Sequence, residues 1–327
     1  MPRQARLDAP GTLHHVIVRG IEKRKIVDDT TDHQNFVFRI GQIAADTGTA
    51  VYAWSLMSNH AHILLKSSSF GLSSYMRRFL TGYALYYNRR HRRHGHLFQN
   101  RYKSIICEED VYFKELVRYI HLNPLRAKLA NNLSELDSYR WCGHATVIGK
   151  RKNDWQDCDY LLRWFGKTEG EARNCYRKFI QKGINQGRRP ELVGGGLIRS
   201  MGGWSQVKSM RFLGMRESSD ERILGSGEFV DDLLKDVDKN VKHQFLGQDR
   251  LKKVEQFISE VCNKENINIK ELKFGSRRGT ISKIRSNLAI SLVKEYGISF
   301  AETARQLGVS TSAVSKIIRR TENRKLT

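Results

Sequence analysis

Two apolar runs, Ala50 to Met57 and His60 to Lys66, are separated only by Ser58-Asn59, and nothing else in the chain constrains its fold as tightly. Strands joined by so short a polar turn form a hairpin and lie side by side in one antiparallel sheet. Along the second run, residues i and i+2 share a face. His60 and His62 therefore project together, and Ala61, Ile63 and Leu65 face whatever covers the other side. Two imidazoles on one strand face can converge on a divalent cation, which is half of a metal site. The pair alone is weak evidence: 11 histidines in 327 residues give about 0.4 such pairs by chance. A second pair, His94 and His96, sits beside Gly95 in an arginine run and reads as solvated or phosphate-facing.

The flanking pattern completes a unit around this hairpin. Leu13 to Arg19 alternates as a first strand, and Asp32 to Asp46 has helical spacing with Asp32 as a candidate cap and Gly48 as a stop. Leu72 to Arg93 reads as a long helix, Leu97 to Cys107 as a fourth strand, and Val111 to Asn123 as a third helix closed by Pro124. The order β-α-β-β-α-β fits an α+β, ferredoxin-like split βαβ sandwich with an antiparallel sheet. On the third helix, Tyr119 and Asn123 are i, i+4 neighbours. Tyr102, on a strand, and Tyr112, at the opening of that helix, lack such a partner and read as packing residues.

The long helix carries Tyr75, Phe79, Tyr83, Tyr86 and Tyr87 at spacings that favour a core-facing stripe over base stacking. Beside them stand Arg77, Arg78, Arg89, Arg90, Arg92 and Arg93, more cations than a helix dipole needs, so phosphate contact is expected of some. Arg101 and Lys103 would share one face of the fourth strand as further nucleic-acid contacts. Lys+Arg of 57 against Asp+Glu of 34, a formal +23, suits a polyanionic partner. No apolar run reaches 18 residues, so no membrane partner is expected, and Met1 to Arg6 lacks the apolar region of a signal peptide. Five cysteines, none spaced C-x-x-C, read as reduced thiols of a cytosolic protein rather than a zinc site.

Four ordered segments carry a family resemblance: His14-His15-Val16-Ile17-Val18-Arg19-Gly20, Ser58-Asn59-His60-Ala61-His62, Gly95 to Ser104, and Tyr119-Ile120-His121-Leu122-Asn123-Pro124-Leu125-Arg126-Ala127. Together they resemble the REP-associated tyrosine transposases of the single-tyrosine HUH superfamily, over residues 1 to about 145. Ala61 is small where that family often has a larger aliphatic residue, which leaves the histidines in place. The resemblance implies a metal-dependent single-strand DNA endonuclease and strand transferase acting on hairpin-bearing DNA. It implies Tyr119 as nucleophile, His60, His62 and Asn123 as ligands of Mg²⁺ or Mn²⁺, and a 5′-phosphotyrosine link that keeps bond energy for rejoining. Imidazoles alone would argue for a softer metal. A non-catalytic DNA-binding regulator on the same fold is the alternative. A metal-dependent hydrolase of small phosphoesters is disfavoured by the charge and by the lack of carboxylate ligands.

Beyond this unit the expected division is 1–145 for the nuclease, 146–240 for a connector, and 241–327 for a second DNA-binding domain. In the connector, Trp155, Trp164 and Trp204 suggest packed pieces, whereas Gly194-Gly195-Gly196 and Gly202-Gly203 carry no phosphate-loop lysine. Residues 299–320 have the helix, glycine-containing turn and second helix of a helix-turn-helix. With the apolar residues upstream, the segment resembles the helical DNA-binding domain of the bacterial replication initiator. Ser312, Ser315, Lys316 and Arg319 would face duplex DNA, with Val314, Ile317 and Ile318 holding the helix to its core. The expected partners are thus single-stranded and hairpin DNA at one end and duplex DNA at the other, in the bacterial cytoplasm at the nucleoid.

Overall fold

The computed structural model describes residues 7–235 apart from 9, 188, 201 and 203–216, and residues 247–323 apart from 274–278, 295, 297 and 299. Trp204 and Gly203 therefore lie outside the described residues. The chain divides into two compact units, Met1–Asp238 and Lys239–Thr327.

The first unit is built on β1 (Leu13–Arg19), α1 (Thr30–Thr47), β2 (Ala50–Leu56), β3 (His60–Lys66), α2 (Leu72–Arg90), β4 (Lys103–Cys107) and α3 (Glu109–His121). Its sheet runs β2-β3-β1-β4-β5, with β5 (Ile223–Leu224) added parallel to β4 and the other pairs antiparallel. The first four strands have the split βαβ order expected from the sequence. The strand period sorts the core into two layers. Val16, Val18, Ile63 and Leu65 pack with Phe36, Ile40, Tyr75, Phe79 and Tyr83 of α1 and α2. Leu13, Ile17, Leu64 and Ile105 pack on the opposite face with Phe113, Leu116, Val117 and Ile120 of α3. The α2 aromatics are thus core residues, and Tyr75 and Tyr83 satisfy their hydroxyls on the Ile40 and Ile26 carbonyls.

Several local boundaries differ from the sequence reading. Asp29, not Asp32, caps α1, accepting from the Asp32 backbone N–H; Asp32 is itself buried. Gly48 closes α1 in a left-handed conformation, φ 63°. Helix α2 stops at Arg90, and β4 begins only at Lys103, because Arg92 (φ 50°) and Asn100 (φ 62°) take left-handed backbone that neither helix nor strand can continue. Helix α3 ends at His121, and Pro124 opens a further turn, α4 (Asn123–Arg126), where its missing N–H costs nothing.

Four more helices, α5 (Leu133–Ser138), α6 (His144–Val147), α7 (Cys158–Arg163) and α8 (Glu169–Lys182), pack within the same unit. The Gly194-Gly195-Gly196 run then lies against β5. Gly195 and Gly196 donate to the Glu221 and Ile223 carbonyls, and a Cβ on Gly195 would stand 2.2 Å from the Ile223 oxygen. Glycine is required there by backbone proximity.

The second unit has helices Gly247–Lys264, Ile269–Lys273, Gly279–Lys294, Phe300–Leu307 and Thr311–Asn323. Its core includes Val254, Ile258, Leu288, Leu292 and Leu307. The last two helices meet through Ala304, Val314 and Ile318, with Gly308 turning between them at φ 64°. A Cβ there would collide with the Lys273 carbonyl.

His14 offers a direct check of the sheet interior. It is fully buried as the second residue of β1, bonded to the Thr12 and Ser104 hydroxyls, and burial lowers its pKa to about 4, with Asp8 opposing. A histidine held neutral in the fold and free to protonate near 6.5 when unfolded contributes stability above pH 6.5, lost as pH falls towards 4. Between pH 7 and pH 5 that loss is expected to be about 2 kcal/mol. Denaturant unfolding at the two pH values, on the wild type and on His14→Gln, measures it. An equal pH dependence in the two proteins would exclude His14 as the cause.

Candidate active site

The strand period places His60 and His62 on the α3 side of the sheet, and pairing of β1 with β3 sets Ile17 opposite His62 and Arg19 opposite His60. That register brings a third imidazole to the same face. His15 Nε2 lies 2.8 Å from His62 Nδ1, with the rings stacked at 5.1 Å, and His15 Nδ1 lies 2.9 Å from the Leu192 carbonyl.

These bonds fix the tautomers. The Leu192 carbonyl can only accept, so His15 carries its proton on Nδ1 and accepts at Nε2. His62 must then donate from Nδ1, which leaves the Nε2 lone pair open. His60 donates from Nδ1 to Asn59 Oδ1 at 2.6 Å, leaving its Nε2 open as well. All three rings are held neutral. Burial lowers His15 and His60 to about 4, with Lys103 and Arg19 respectively contributing, and burial drives His62 well below its usual range, helped by the neighbouring histidines and by Arg19 and Arg126. Two neutral imidazoles with open Nε2 atoms on one face are suited to hold a metal ion, and a histidine oriented through its other nitrogen is the usual support for such a ligand.

Helix α3 packs across this face and delivers Tyr119. Its ring lies 5.7 Å from that of His62 and 6.0 Å from that of His15, both edge-on. One turn on, Asn123 is 8 % exposed, and its Nδ2 has no hydrogen-bond partner among the described residues. A buried amide left unsatisfied is costly unless a ligand completes it. Arg126 reaches back, its guanidinium 5.0 Å from the Tyr119 ring centroid and its Nη1 donating to the Tyr119 carbonyl at 3.0 Å.

The sequence reading missed Arg19, Arg126 and any role for His15, although all three stand inside the segments that carry the family resemblance. Their signal was the period-2 face of β1 for His15 and helical spacing for Arg126. The other histidine pair, His94 and His96, is exposed in the loop after α2. Tyr102 is buried, and Tyr112 donates to the Ser200 carbonyl, so both are packing residues.

The basic residues have separate fates. Arg77, Arg89 and Arg101 are exposed and form no ion pair among the described residues. Arg78 pairs with Asp46 at 2.7 Å. Arg90 pairs with Asp29 and Asp32. Lys103 donates to the Val193 carbonyl at 2.7 Å and does not share a strand with Arg101, which precedes β4. In the second unit Ser312, Ser315 and Lys316 are exposed on the last helix, whose Val314 and Ile318 are buried; the Arg319 side chain lies outside the described residues.

A different trio, Asp28, Asp32 and His91, brings its ligand atoms within 4.8 Å of one another and is a possible metal site. Its atoms already have protein partners: Tyr87 on Asp28, and Arg90 and His91 on Asp32. That arrangement serves as it stands to tie the start of α1 to the end of α2.

Among the described residues no helix is long and apolar enough to cross a membrane. No curated protein matches the chain. One solved structure to which it is similar is described as the "REP associates tyrosine transposase bound to a REP hairpin", at 15 % identity and a TM-score of 0.40, covering 48 % of this chain and 94 % of that one. The family model of IS200-like transposases matches residues 11–123, which takes in the histidine strand, the tyrosine helix and Asn123. The matched span thus contains β1, β3 and α3, the elements that bring His15, His60, His62 and Tyr119 together.

Proposed function

We propose that the first unit is a metal-dependent HUH endonuclease and strand transferase that cuts single-stranded or hairpin DNA through a covalent 5′-phosphotyrosine at Tyr119. The observation that carries this reading is the pair of open Nε2 atoms on His60 and His62, with the Tyr119 ring edge-on to that of His62. His60, His62 and Asn123 would hold Mg²⁺ or Mn²⁺, which when bound polarises the scissile phosphate. Asn123 supports the assignment through its unpartnered buried amide, whose nitrogen and oxygen can exchange places by a flip. His15 orients His62, and Asn59 orients His60. Tyr119 supplies the nucleophilic oxygen.

Arg77, Arg89 and Arg101 are the cations best placed by exposure to meet phosphates. Arg78, Arg90 and Lys103 could do so only by giving up the partners described above. In the second unit, Ser312, Ser315, Lys316 and Arg319 are proposed to enter a duplex major groove.

Incubation of full-length protein with a labelled single-stranded hairpin and Mn²⁺, resolved on a denaturing gel, tests the nuclease. A labelled protein-DNA adduct is expected. Hairpin binding without adduct or cleavage would favour a non-catalytic regulator on the same fold.

Removing residues 239–327 is expected to leave cleavage of a bare hairpin within about threefold, because the proposed chemistry lies wholly in the first unit. Affinity for a hairpin carrying a duplex arm should fall, with a shallower salt dependence as phosphate contacts are lost. Cleavage and binding on both substrates at two salt concentrations measure this. Loss of bare-hairpin cleavage in a folded truncation would place the second unit in the active assembly.

A further inference from the structure

Arg126 stands in an unusual electrostatic position. Its guanidinium lies over the Tyr119 ring, and one Nη donates to the carbonyl of the same residue. Its Nε is buried with no hydrogen-bond partner, and among the described residues no carboxylate is within ion-pair distance of it. Its basic neighbours are treated differently: Arg118 is held by Glu115, and Arg189 by Glu115 and Glu191. Desolvation and these two cations lower the Arg126 pKa, while the Tyr119 side chain opposes them. A ring face and one carbonyl compensate a partly desolvated guanidinium less well than a carboxylate would. The position makes energetic sense when an anion arrives beside Tyr119.

We propose that Arg126 is a catalytic residue that receives the non-bridging oxygens of the phosphodiester attacked by Tyr119. The inference rests on the nuclease reading above and adds a role to it. In the step, the Tyr119 oxygen forms a bond to phosphorus and loses its proton, and the bond from phosphorus to O3′ breaks. The electron pair leaves on O3′, which takes up a proton. The phosphate carries one negative charge before and after, and additional charge at the five-coordinate stage. A fixed guanidinium stabilises that added charge more than it stabilises the ground state.

The test is single-turnover adduct formation by full-length wild type, Arg126→Ala and Arg126→Lys on the labelled hairpin with Mn²⁺, with hairpin affinity measured in parallel. The alanine variant is expected to lose about 10²–10³-fold in the rate at saturating DNA, with affinity held within about threefold. Lysine should recover part of the rate. Millimolar guanidinium should raise the alanine variant's rate about tenfold or more, where equal tetramethylammonium does not. If the alanine variant fails to fold, Arg126→Gln, which keeps most of the side-chain volume, replaces it in the same comparison. A folded variant that retains its saturating rate, or whose loss lies wholly in affinity, overturns the proposal. A wild type that forms no adduct overturns the nuclease reading itself, and this inference with it.

Discussion

Tyr119→Phe is expected to form no covalent adduct and to lose cleavage by more than about 10³-fold, the scale on which removing a nucleophile acts. Hairpin binding should persist, because the change deletes one oxygen and keeps the ring that packs edge-on against His62 and His15. The ring also keeps the Arg126 guanidinium over its face, so thermal stability should change little. Two other tyrosines serve as internal controls. Tyr102 is buried and Tyr112 is bonded to the Ser200 carbonyl, so phenylalanine at either position should retain the adduct. The measurement is a denaturing gel of each variant after incubation with labelled hairpin and Mn²⁺. An adduct retained by Tyr119→Phe would move the nucleophile elsewhere.

The second large effect concerns the imidazole face. His60→Ala or His62→Ala should abolish cleavage, since either leaves too few ligands for tight metal binding. The two should differ in stability. His60 is only half-buried, with its Nδ1 on the adjacent Asn59, whereas His62 is 4 % exposed and bonded to His15 in the interior. Removing His62 leaves a cavity and an unpaired His15 Nε2, so a loss of about 1–3 kcal/mol is expected there. His15→Phe keeps the bulk and deletes the acceptor that fixes the His62 tautomer. Metal affinity should fall about 10–100-fold, as for other supporting partners of a ligand histidine. His94→Ala and His96→Ala, in the exposed loop, should be mild. Metal affinity can be read by Mn²⁺ titration of protein fluorescence or calorimetry, alongside cleavage. Damage from the His94 and His96 variants equal to that from His60 and His62 would mean that the metal lies at the other pair.

What the sequence determined by itself was whatever follows from spacing along one element. The period of two put His60 and His62 on one face and Ala61, Ile63 and Leu65 on the other, and β3 has that arrangement. The Ser58-Asn59 turn dictated the hairpin, and the aromatic spacing of α2 dictated a core stripe. Element ends were legible only where a residue's own backbone chemistry decides them. Gly48 stopped α1, but the left-handed Arg92 and Asn100 were not foreseeable, since neither residue type demands that conformation.

Tertiary structure decided everything that depends on which elements meet. His15 supports His62 because the β1 to β3 register sets Ile17 opposite His62, and strand register is a contact across 47 positions of chain. Its other nitrogen is satisfied by Leu192, 177 residues away, in a segment whose sequence carries no chemical motif. The same holds for charge. Arg78 and Arg90 stand in an arginine-rich helix as Arg77 and Arg89 do, yet Asp46, Asp29 and Asp32 lie beside the first two. A sequence states how many charges a helix carries, but the energy of each depends on distance to its counter-charge and on burial, and both are set only when the chain has folded.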